Sequence, residues 1–270
     1  MESKKKILYV CQEVAPYVAE NKYTDTFADL IDAMHNRGDE IRTFMPRYGC
    51  INERRNQLHE VIRLSGMNLI IDDTDHQLII KVASIPHTRV QIYFIDNEDF
   101  FSRKATLRDE NGEEFEDNDQ RAIFFARGVL ETVGKLRWSP DIIECRGWFT
   151  SFIATYLRHS FADDPIFANV KIIVSLDGDR FEKPFNPSVV ETLNSEGVEM
   201  DDKLNILNDA TYENLCKFVL NYADGIVISS DNVAEEILDI ARQSGKPLME
   251  FEQERGDSYY DKYRLFYENI

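Results

Sequence analysis

The fold is decided by the stretch KILYVCQEVAPYVAENKYTDTFADLIDAMHNRGDEIRTFMPRYG, residues 6–49. Its apolar run Ile7-Leu8-Tyr9-Val10 predicts a short buried strand, residues 25–37 predict a helix, and residues 40–46 predict a second strand. A strand–helix–strand unit with a crossover of this length joins two parallel strands. The stretch therefore predicts the beginning of an open α/β sheet.

The helix prediction rests on four apolar residues that share one helical face: Phe27, Leu30, Ile31 and Met34. We expect Thr24 or Asp25 to cap the start of this helix. We expect Gly38 to take the left-handed conformation that follows a helix end. Both signals place the helix between the two strands of the unit.

The loop after the first strand is the place where open α/β sheets bind their ligands. A phosphate cradle there needs glycine, because only glycine lets backbone N–H groups come close to a pyrophosphate. Residues 13–37 contain no glycine. The scaffold of a nucleotide site is thus predicted without its usual cradle.

Composition restricts the class of protein. The chain has 270 residues, of which 43% are hydrophobic and 11% aromatic, enough to bury the core of one large domain or two small ones. It carries 49 acidic against 31 basic residues, a formal charge of −18. We expect no nucleic-acid partner and no anionic membrane surface, since both are bound through basic patches.

The sequence shows no pattern typical of a targeting, membrane or metal segment. The apolar run behind the basic N-terminal residues is only about five residues long, and no segment approaches the roughly 20 apolar residues of a membrane span. The four cysteines and five histidines lack metal-ligand spacing. We expect a cytoplasmic protein with reduced cysteines, no metal and no cofactor.

Strand and helix patterns alternate through the rest of the chain. Strands are predicted at residues 67–72, 78–84, 90–95, 142–145, 170–176 and 225–229, and helices at 120–136, 148–159, from 209 and at 231–244. A hairpin loop is expected at residues 73–77, an irregular segment at 177–209, and a solvated carboxylate-rich loop within 96–121. Its residues 117–119 should cap the next helix, and Asp209 should cap a later one. The predicted fold is a single Rossmann-like, doubly wound α/β sheet with one β-hairpin excursion.

The last residues differ from the rest in composition. We divide the chain into a domain at residues 1–246 and an acidic tail at 247–270. The tail is predicted to form a helix with an aromatic stripe, which is formed by Tyr259, Tyr260, Tyr263, Phe266, Tyr267 and Ile270. We expect this stripe to pack on the domain's own surface, and a partner-binding tail is the alternative.

Several segments, in the same order and spacing, resemble bacterial glycogen and starch synthases, which are GT-B glucosyltransferases that use ADP-glucose. The resemblance spans residues 5–240 and rests on the segments KILYV (6–10), EVAPY (13–17), MPRYG (45–49), YFIDN (93–97), DENGEE (109–114), PDII (140–143), WFT (148–150) and YADGIVIS (222–229). It implies that the chain corresponds to the first of the two domains of a GT-B enzyme, with a C-terminal helix that crosses back onto it.

The departures from the family pattern fall on its polar motifs. The family has Lys-Thr-Gly-Gly-Leu before the first helix, where lysine and the glycine backbone face the donor phosphates. This chain reads Ala19-Glu20-Asn21-Lys22-Tyr23 instead, so a carboxylate that would repel a pyrophosphate is added. Lys22 lies three positions too late to be a good substitute for the family's lysine. The aspartate of that motif is kept as Asp25, which can equally serve as a cap.

Two further motifs of the family are changed. His-Asp-Trp-His near the acceptor becomes Arg146-Gly147-Trp148-Phe149, and Ile-His-Asn becomes residues 176–178, Leu-Asp-Gly. The resemblance also places donor-binding groups on a second domain. We expect that this domain was deleted while the helix of residues 263–270 was kept, an idea that fails if the last fourteen residues can be removed without loss of thermal stability.

The sequence favours a catalytically inactive glycogen/starch synthase-like domain that acts by binding an α-glucan, ADP-glucose or a protein partner. No catalytic residue is predicted. The candidate substrate-facing residues are Glu13, Tyr17, Asp25, Asp96, Asn97 and Trp148, each of which also has a structural interpretation as core, cap or turn. Two alternatives stay open: an active or subunit-complemented ADP-glucose:α-1,4-glucan glucosyltransferase, and a protein-interaction module with no sugar ligand. A nucleotide-binding oxidoreductase is remote, since no Gly-x-Gly-x-x-Gly follows a strand.

Overall fold

A computed structural model describes residues 4–19, 21–86, 88 and 90–270, with Lys22 described by its backbone alone. The strands are β1 Lys6–Cys11, β2 Glu40–Pro46, β3 His59–Glu60, β4 Met67–Ile71, β5 Thr74–Ser84, β6 Gln91–Asp96, β7 Ile142–Arg146, β8 Lys171–Leu176, β9 Gly225–Ile228 and β10 Leu248–Met249. The helices are α1 Lys22–Asn36, α2 Glu98–Phe101, α3 Asn118–Leu136, α4 Phe152–Arg158, α5 Val189–Ser195, α6 Tyr212–Leu220, α7 Glu235–Gln243 and α8 Asp257–Asn269. Short 3₁₀ turns cover Trp148–Thr150 and Leu204–Asp209.

Within the described residues the strands form one ten-stranded sheet in the order β10-β9-β8-β7-β1-β2-β6-β5-β3, and β4 pairs with β5 beside this path. The strands from β10 to β6 run parallel, whereas β5 is antiparallel to β6, and β3 and β4 are antiparallel to β5. The predicted Rossmann-like sheet with one β-hairpin excursion is confirmed.

The chain leaves β1 for β2 on one side and later returns to β7 on the other side of β1. The gap between β1 and β7 is therefore the switch point of the sheet, where open α/β folds bind ligands. β7 is buried along its whole length, and β1 and β8 are buried except for their first residues, as expected for parallel strands covered on both faces.

The first helix begins three residues earlier than predicted. Its cap is Asn21, whose side-chain oxygen accepts the backbone N–H groups of Tyr23 and Thr24. Thr24 is instead the third helical residue and returns a hydrogen bond to the Asn21 N–H at 3.0 Å. The prediction of Thr24 or Asp25 as the cap is wrong, because the capping box fits the extended backbone at Asn21. Gly38 has φ +96°, as predicted.

The hairpin between β4 and β5 is tighter than predicted. Residues 74–77 belong to β5, and the turn consists of Asp72 and Asp73, which both have positive φ. A two-residue hairpin requires this conformation, and aspartate tolerates it better than most residues do. The predicted five-residue loop is therefore wrong.

The carboxylate-rich segment is less solvated than predicted and also contains α2. The side chain of Glu114 is 10% exposed and accepts the backbone N–H groups of Glu182 and Lys183. Asp117 does not cap α3 with its side chain, because that carboxylate binds both terminal nitrogens of Arg103 at 2.6 Å. Glu114 therefore links this segment to the loop that contains Glu182 and Lys183.

Three boundaries in the second half of the chain also differ. The segment 177–209, predicted as irregular, contains α5 and a 3₁₀ turn, and the helix predicted at 148–159 is split into a 3₁₀ turn and α4. Thr211, not Asp209, caps α6 by accepting the N–H of Asn214. The last helix of the domain begins at Glu235, so residues 231–234 precede it. Short elements surrounded by polar residues have weak periodicity, which explains these errors.

The C-terminal helix α8 packs its aromatic stripe on the sheet and on α1. Tyr259, Tyr263 and Tyr267 are buried, and Arg37 at the end of α1 binds Asp257 at 3.0 Å and Asp261 at 2.9 Å. The edge strand β10 lies just beyond residue 246 and pairs with β9. The division of the chain at that residue stays a prediction.

All four cysteines are free. Among the described residues, no helix combines the length and the apolarity needed to cross a membrane.

Candidate functional site

A cleft of about 450 Å³ opens at the carboxyl ends of β1, β7 and β8, beside the switch point of the sheet. Gln12 and Glu13 follow β1, Arg146 ends β7, and Asp177 and Asp179 follow β8. The first turns of α1 and residues 106–108 form the opposite wall. Each strand thus delivers one or two polar groups to the same edge, as parallel strands in an open sheet do.

Asp179 is the centre of a hydrogen-bond network in this cleft. One of its oxygens accepts the side-chain N–H groups of Gln12 at 2.7 Å and Trp148 at 3.0 Å, and the other binds Arg108 Nη1 at 3.1 Å. Arg108 also contacts Glu114 at 3.3 Å. Burial opposes the charge of Arg108, but Asp179 and Glu114 outweigh it and raise the pKa of the guanidinium. Asp179 therefore connects the loop after β8 to the residue after β1, to the 3₁₀ turn at Trp148 and to the loop that carries Arg108.

Two other carboxyl groups line the cleft without a lysine or arginine at salt-bridge distance among the described residues. Asp177 accepts the backbone N–H of Asp179 at 3.0 Å, and burial, helped by the charge of Asp179, raises the pKa of Asp177 to about 7. Burial also raises the pKa of Glu13, although a hydrogen bond from Thr106 counteracts the shift. The cleft is therefore rich in carboxyl groups, and Glu13 and Asp177 bind protons more readily than exposed carboxyl groups do.

The second cation of the cleft, Arg146, is 8% exposed. Its Nη1 lies 3.1 Å from Glu144 Oε1, and its guanidinium lies 4.3 Å from the centre of the Phe27 ring. Phe27 belongs to α1 and lines the cleft together with Arg146. This cation is thus already paired with an anion and stacked on an aromatic face.

The N-terminus of α1 borders the cleft, but the side chain of its capping residue, Asn21, occupies part of its hydrogen-bond donors. The Asn21 oxygen occupies the N–H groups of Tyr23 and Thr24, at 2.9 Å and 3.1 Å. A helix N-terminus binds an anion through N–H groups of this kind, which must then be free. Here two of them are already bonded to Asn21. Glu20, which the sequence predicts to repel a pyrophosphate, and the side chain of Lys22, a poor substitute for the family's lysine, lie outside the described part of the chain.

The six predicted site residues do not meet in one place. Glu13 lines the cleft. Trp148 lies behind it, 5% exposed, with its ring edge-on to Phe181 and its N–H on Asp179. Tyr17 lines two neighbouring depressions and donates its hydroxyl to the carbonyl oxygen of Ser84 at 3.0 Å.

The other three predicted residues do not line the cleft. Asp25 is exposed in the first turn of α1. Asp96 is buried and binds Lys81 at 2.9 Å, and Asn97 caps α2 by accepting two backbone N–H groups. The contacts of Asp96 and Asn97 explain both residues as part of the fold, and the position of Asp25 is favourable to the helix dipole. Whether any of the six residues binds a ligand stays a prediction.

Sequence reasoning missed most of the cleft, namely Gln12, Arg108, Arg146, Asp177 and Asp179. A signal was present for Gln12, Arg146, Asp177 and Asp179, because each lies within three residues of the carboxyl end of a predicted parallel strand. Arg108 had no such signal, since it arrives from a long loop. Within the described residues, no group of three or more histidine, cysteine, aspartate or glutamate side chains is placed to hold a metal ion.

Comparison with known proteins agrees with this architecture. The family model described as the starch synthase catalytic domain matches residues 6–249. The glycogen synthase of Chlorobaculum tepidum is 32% identical over 244 residues, which cover 87% of this chain and 47% of that protein. The glycogen synthase of Chlorobium luteolum is 37% identical over 172 residues, or 63% of this chain and 35% of that protein.

Among solved structures, the catalytic domain of starch synthase IV from Arabidopsis thaliana, bound to ADP and acarbose, has a TM-score of 0.72 at 17% identity. The match covers 92% of this chain and 51% of that one. The chain belongs to the starch synthase catalytic domain family, with the GT-B-type α/β fold, and is similar to bacterial glycogen synthases. It spans about half the length of the curated relatives that it matches.

Proposed function

We propose that this chain is a glycogen synthase-related domain that binds an α-glucan in the cleft beside β1 and β7 and does not transfer glucose from ADP-glucose there. Its role would be that of a binding or regulatory pseudoenzyme linked to glucan metabolism. The observation that carries the proposal is the pairing of both described cations of the cleft, Arg108 and Arg146, with carboxylates of the same chain.

A nucleotide sugar brings a pyrophosphate, which needs cations or free N–H groups. Here Glu13, Asp177 and Asp179 outnumber the two arginines that line the cleft with them. Two of the N–H donors at the start of α1 are occupied by the Asn21 side chain. Removal of a single group that stabilises developing charge typically lowers a rate by ~10²–10³, so the loss of several such groups opposes glucosyl transfer.

The residues that correspond to the family's motif near the acceptor also differ from the family pattern. Where the family has an aspartate, Gly147 adopts φ +81°, and the side chain of Gln12 fills the adjacent space and accepts the N–H of Phe149 at 3.3 Å. Trp148 keeps its place but gives its N–H to Asp179. The polar groups of Gln12, Trp148 and Asp179 are thus hydrogen-bonded to residues of this chain.

An uncharged glucan suits the groups that remain. Sugar hydroxyls donate to carboxylates and accept from amide or guanidinium N–H groups, and the cleft offers both kinds in Glu13, Asp177, Asn232 and Arg108. The Phe27 ring lies in the same wall. The Arabidopsis relative holds ADP and acarbose together, and this cleft retains features suited to the carbohydrate rather than to the nucleotide.

The proposal is tested by NMR titration of the full chain with maltohexaose, acarbose and ADP-glucose, together with an assay of glucose incorporation from ADP-glucose into glycogen. We expect maltohexaose to shift the amides of Gln12, Glu13 and Asp177, and no incorporation. Asp179→Asn should weaken glucan binding, whereas Asp25→Asn, exposed and outside the cleft, should not. Incorporation of glucose, or ADP-glucose shifts at residues 13–25, would establish the transferase instead. No response to any ligand would favour a protein-interaction module.

A further inference from the structure

Glu144 is a fully buried carboxylate in the middle of the sheet. It lies on β7 between β1 and β8, opposite Tyr9 in register, and its exposure is 0%. A buried carboxylate must be hydrogen-bonded or paired, because its desolvation is otherwise too costly. The partners of Glu144 therefore show what this position does.

Those partners come from two directions. From α8, Tyr263 Oη donates to Glu144 Oε1 at 2.8 Å, and Tyr267 Oη donates to Oε2 at 2.5 Å. The Tyr9 hydroxyl adds a bond to Tyr267 at 3.0 Å. From its own strand, Arg146 contacts Oε1 at 3.1 Å, since residues two apart in a strand share one face. One carboxylate thus joins the C-terminal helix to a residue of the cleft.

Arg146 depends on this carboxylate. Among the described residues, Glu144 is the one anion within salt-bridge distance of its guanidinium. The other groups that face the guanidinium are the Phe27 ring, Asp177 and the phenol rings of Tyr259 and Tyr263. Without Glu144, the carboxyl group that still acts on the guanidinium is that of Asp177, which lines the cleft. The guanidinium would then turn into the ligand space and neutralise an acid there.

We infer that Glu144, Tyr263 and Tyr267 are positioning residues that hold Arg146 at the wall of the cleft, so that the C-terminal helix sets the affinity of the cleft for its glucan; this inference rests on the proposed function. The two tyrosines fix both carboxylate oxygens, and the carboxylate fixes the guanidinium. A helix that contributes no residue to the cleft lining thereby controls the charge distribution of the cleft.

The test compares Tyr263→Phe, Tyr267→Phe and the double variant with Tyr260→Phe as a control. Tyr260 lies on the same helix, is half-buried, and has its ring near Arg37 rather than near Glu144. Amide shifts are recorded first without ligand. We expect the double variant, but not Tyr260→Phe, to shift the amides of Arg146, Gly147 and Asp177. Maltohexaose affinity should fall about tenfold, the effect expected when a charged group loses hydrogen bonds.

Glu144→Gln is the second variant, because it keeps the volume and one acceptor while it removes the charge. It should produce the same cleft shifts, together with a melting temperature that still indicates a folded protein. Unchanged cleft amides in both Glu144→Gln and the double variant would overturn the inference, whatever the ligand. If the unaltered protein binds no glucan, the proposed function fails, and the ligand-free shifts still decide whether α8 positions Arg146.

Discussion

The backbone of Gly147 and the side chain of Gln12 lie so close that a Cβ at residue 147 would stand 2.8 Å from Gln12 Oε1. Gly147 also has φ +81° and ψ 153°, a conformation that is essentially restricted to glycine. The place where the family carries an aspartate can therefore hold no side chain in this protein without a rearrangement of the cleft.

Gly147→Ala should lower the free energy of unfolding by ~1–3 kcal/mol through backbone strain alone, with the contact to Gln12 adding to it. Urea denaturation measures the loss. Gly134→Ala is the matched control: Gly134 lies inside α3 with no atom within 4 Å of a built Cβ, so the alanine should stabilise by ~0.5–1 kcal/mol. Equal effects at the two positions would refute the assignment of strain to Gly147.

Asn21→Ala should destabilise the protein by ~1 kcal/mol, because two backbone N–H groups of α1 lose their acceptor. Asn21→Gly should cost only a few tenths of a kcal/mol, since glycine leaves those groups open to water. Chemical denaturation distinguishes the two variants. Asn36→Ala, an exposed residue at the other end of the same helix whose side chain donates to Asp32, should stay within ~0.5 kcal/mol of the unaltered protein.

The pH dependence of stability should reveal Asp177. Its pKa is raised to about 7 in the folded protein, above its ordinary value of 3.8, chiefly by burial. The folded state therefore binds a proton that the unfolded state has already lost, and this contribution is full below about pH 4 and disappears as the pH rises to about 7. Glu13, whose pKa burial also raises, acts in the same direction.

Asp177→Asn should flatten the fall in unfolding free energy between about pH 4 and pH 7 and should stabilise the protein above pH 7. Urea unfolding at four or five pH values measures this slope. Asp25→Asn serves as a control, because its carboxyl group is exposed on α1. An unaltered slope in Asp177→Asn would show that the group does not titrate in this window.

Removal of residues 257–270 should lower stability by several kcal/mol, roughly the effect of losing three buried tyrosine rings. The truncation also leaves the buried Glu144 without its two phenol donors. Thermal and urea unfolding measure the loss. Arg37→Ala removes the ion pairs to Asp257 and Asp261 and the contact with the Tyr260 ring but leaves the buried tyrosines of α8 in place, so it should cost clearly less than the truncation. An unchanged melting temperature after truncation would mean that the helix is an accessory to the fold.

The parallel sheet could be predicted because its signals are local. The run from Ile7 to Val10 is continuously apolar, and the face from Phe27 to Met34 has helical periodicity, so each can be recognised without knowledge of its partners. The excess of acidic residues and the altered polar motifs were equally visible. Caps and tight turns were predicted less well, as Asn21, Asp72 and Thr211 show, because several polar residues near each boundary could serve equally well.

The sequence by itself determined the α/β class, the family and the loss of the phosphate-binding glycines, since these follow from composition, periodicity and motifs. Only the tertiary structure decided which polar groups meet. It brought Asp179 to Gln12, Trp148 and Arg108, placed Asp96 and Asn97 outside the cleft, and joined Tyr263 to Glu144, 119 residues away. Such contacts depend on strand order and side-chain direction across the sheet, which no local pattern encodes.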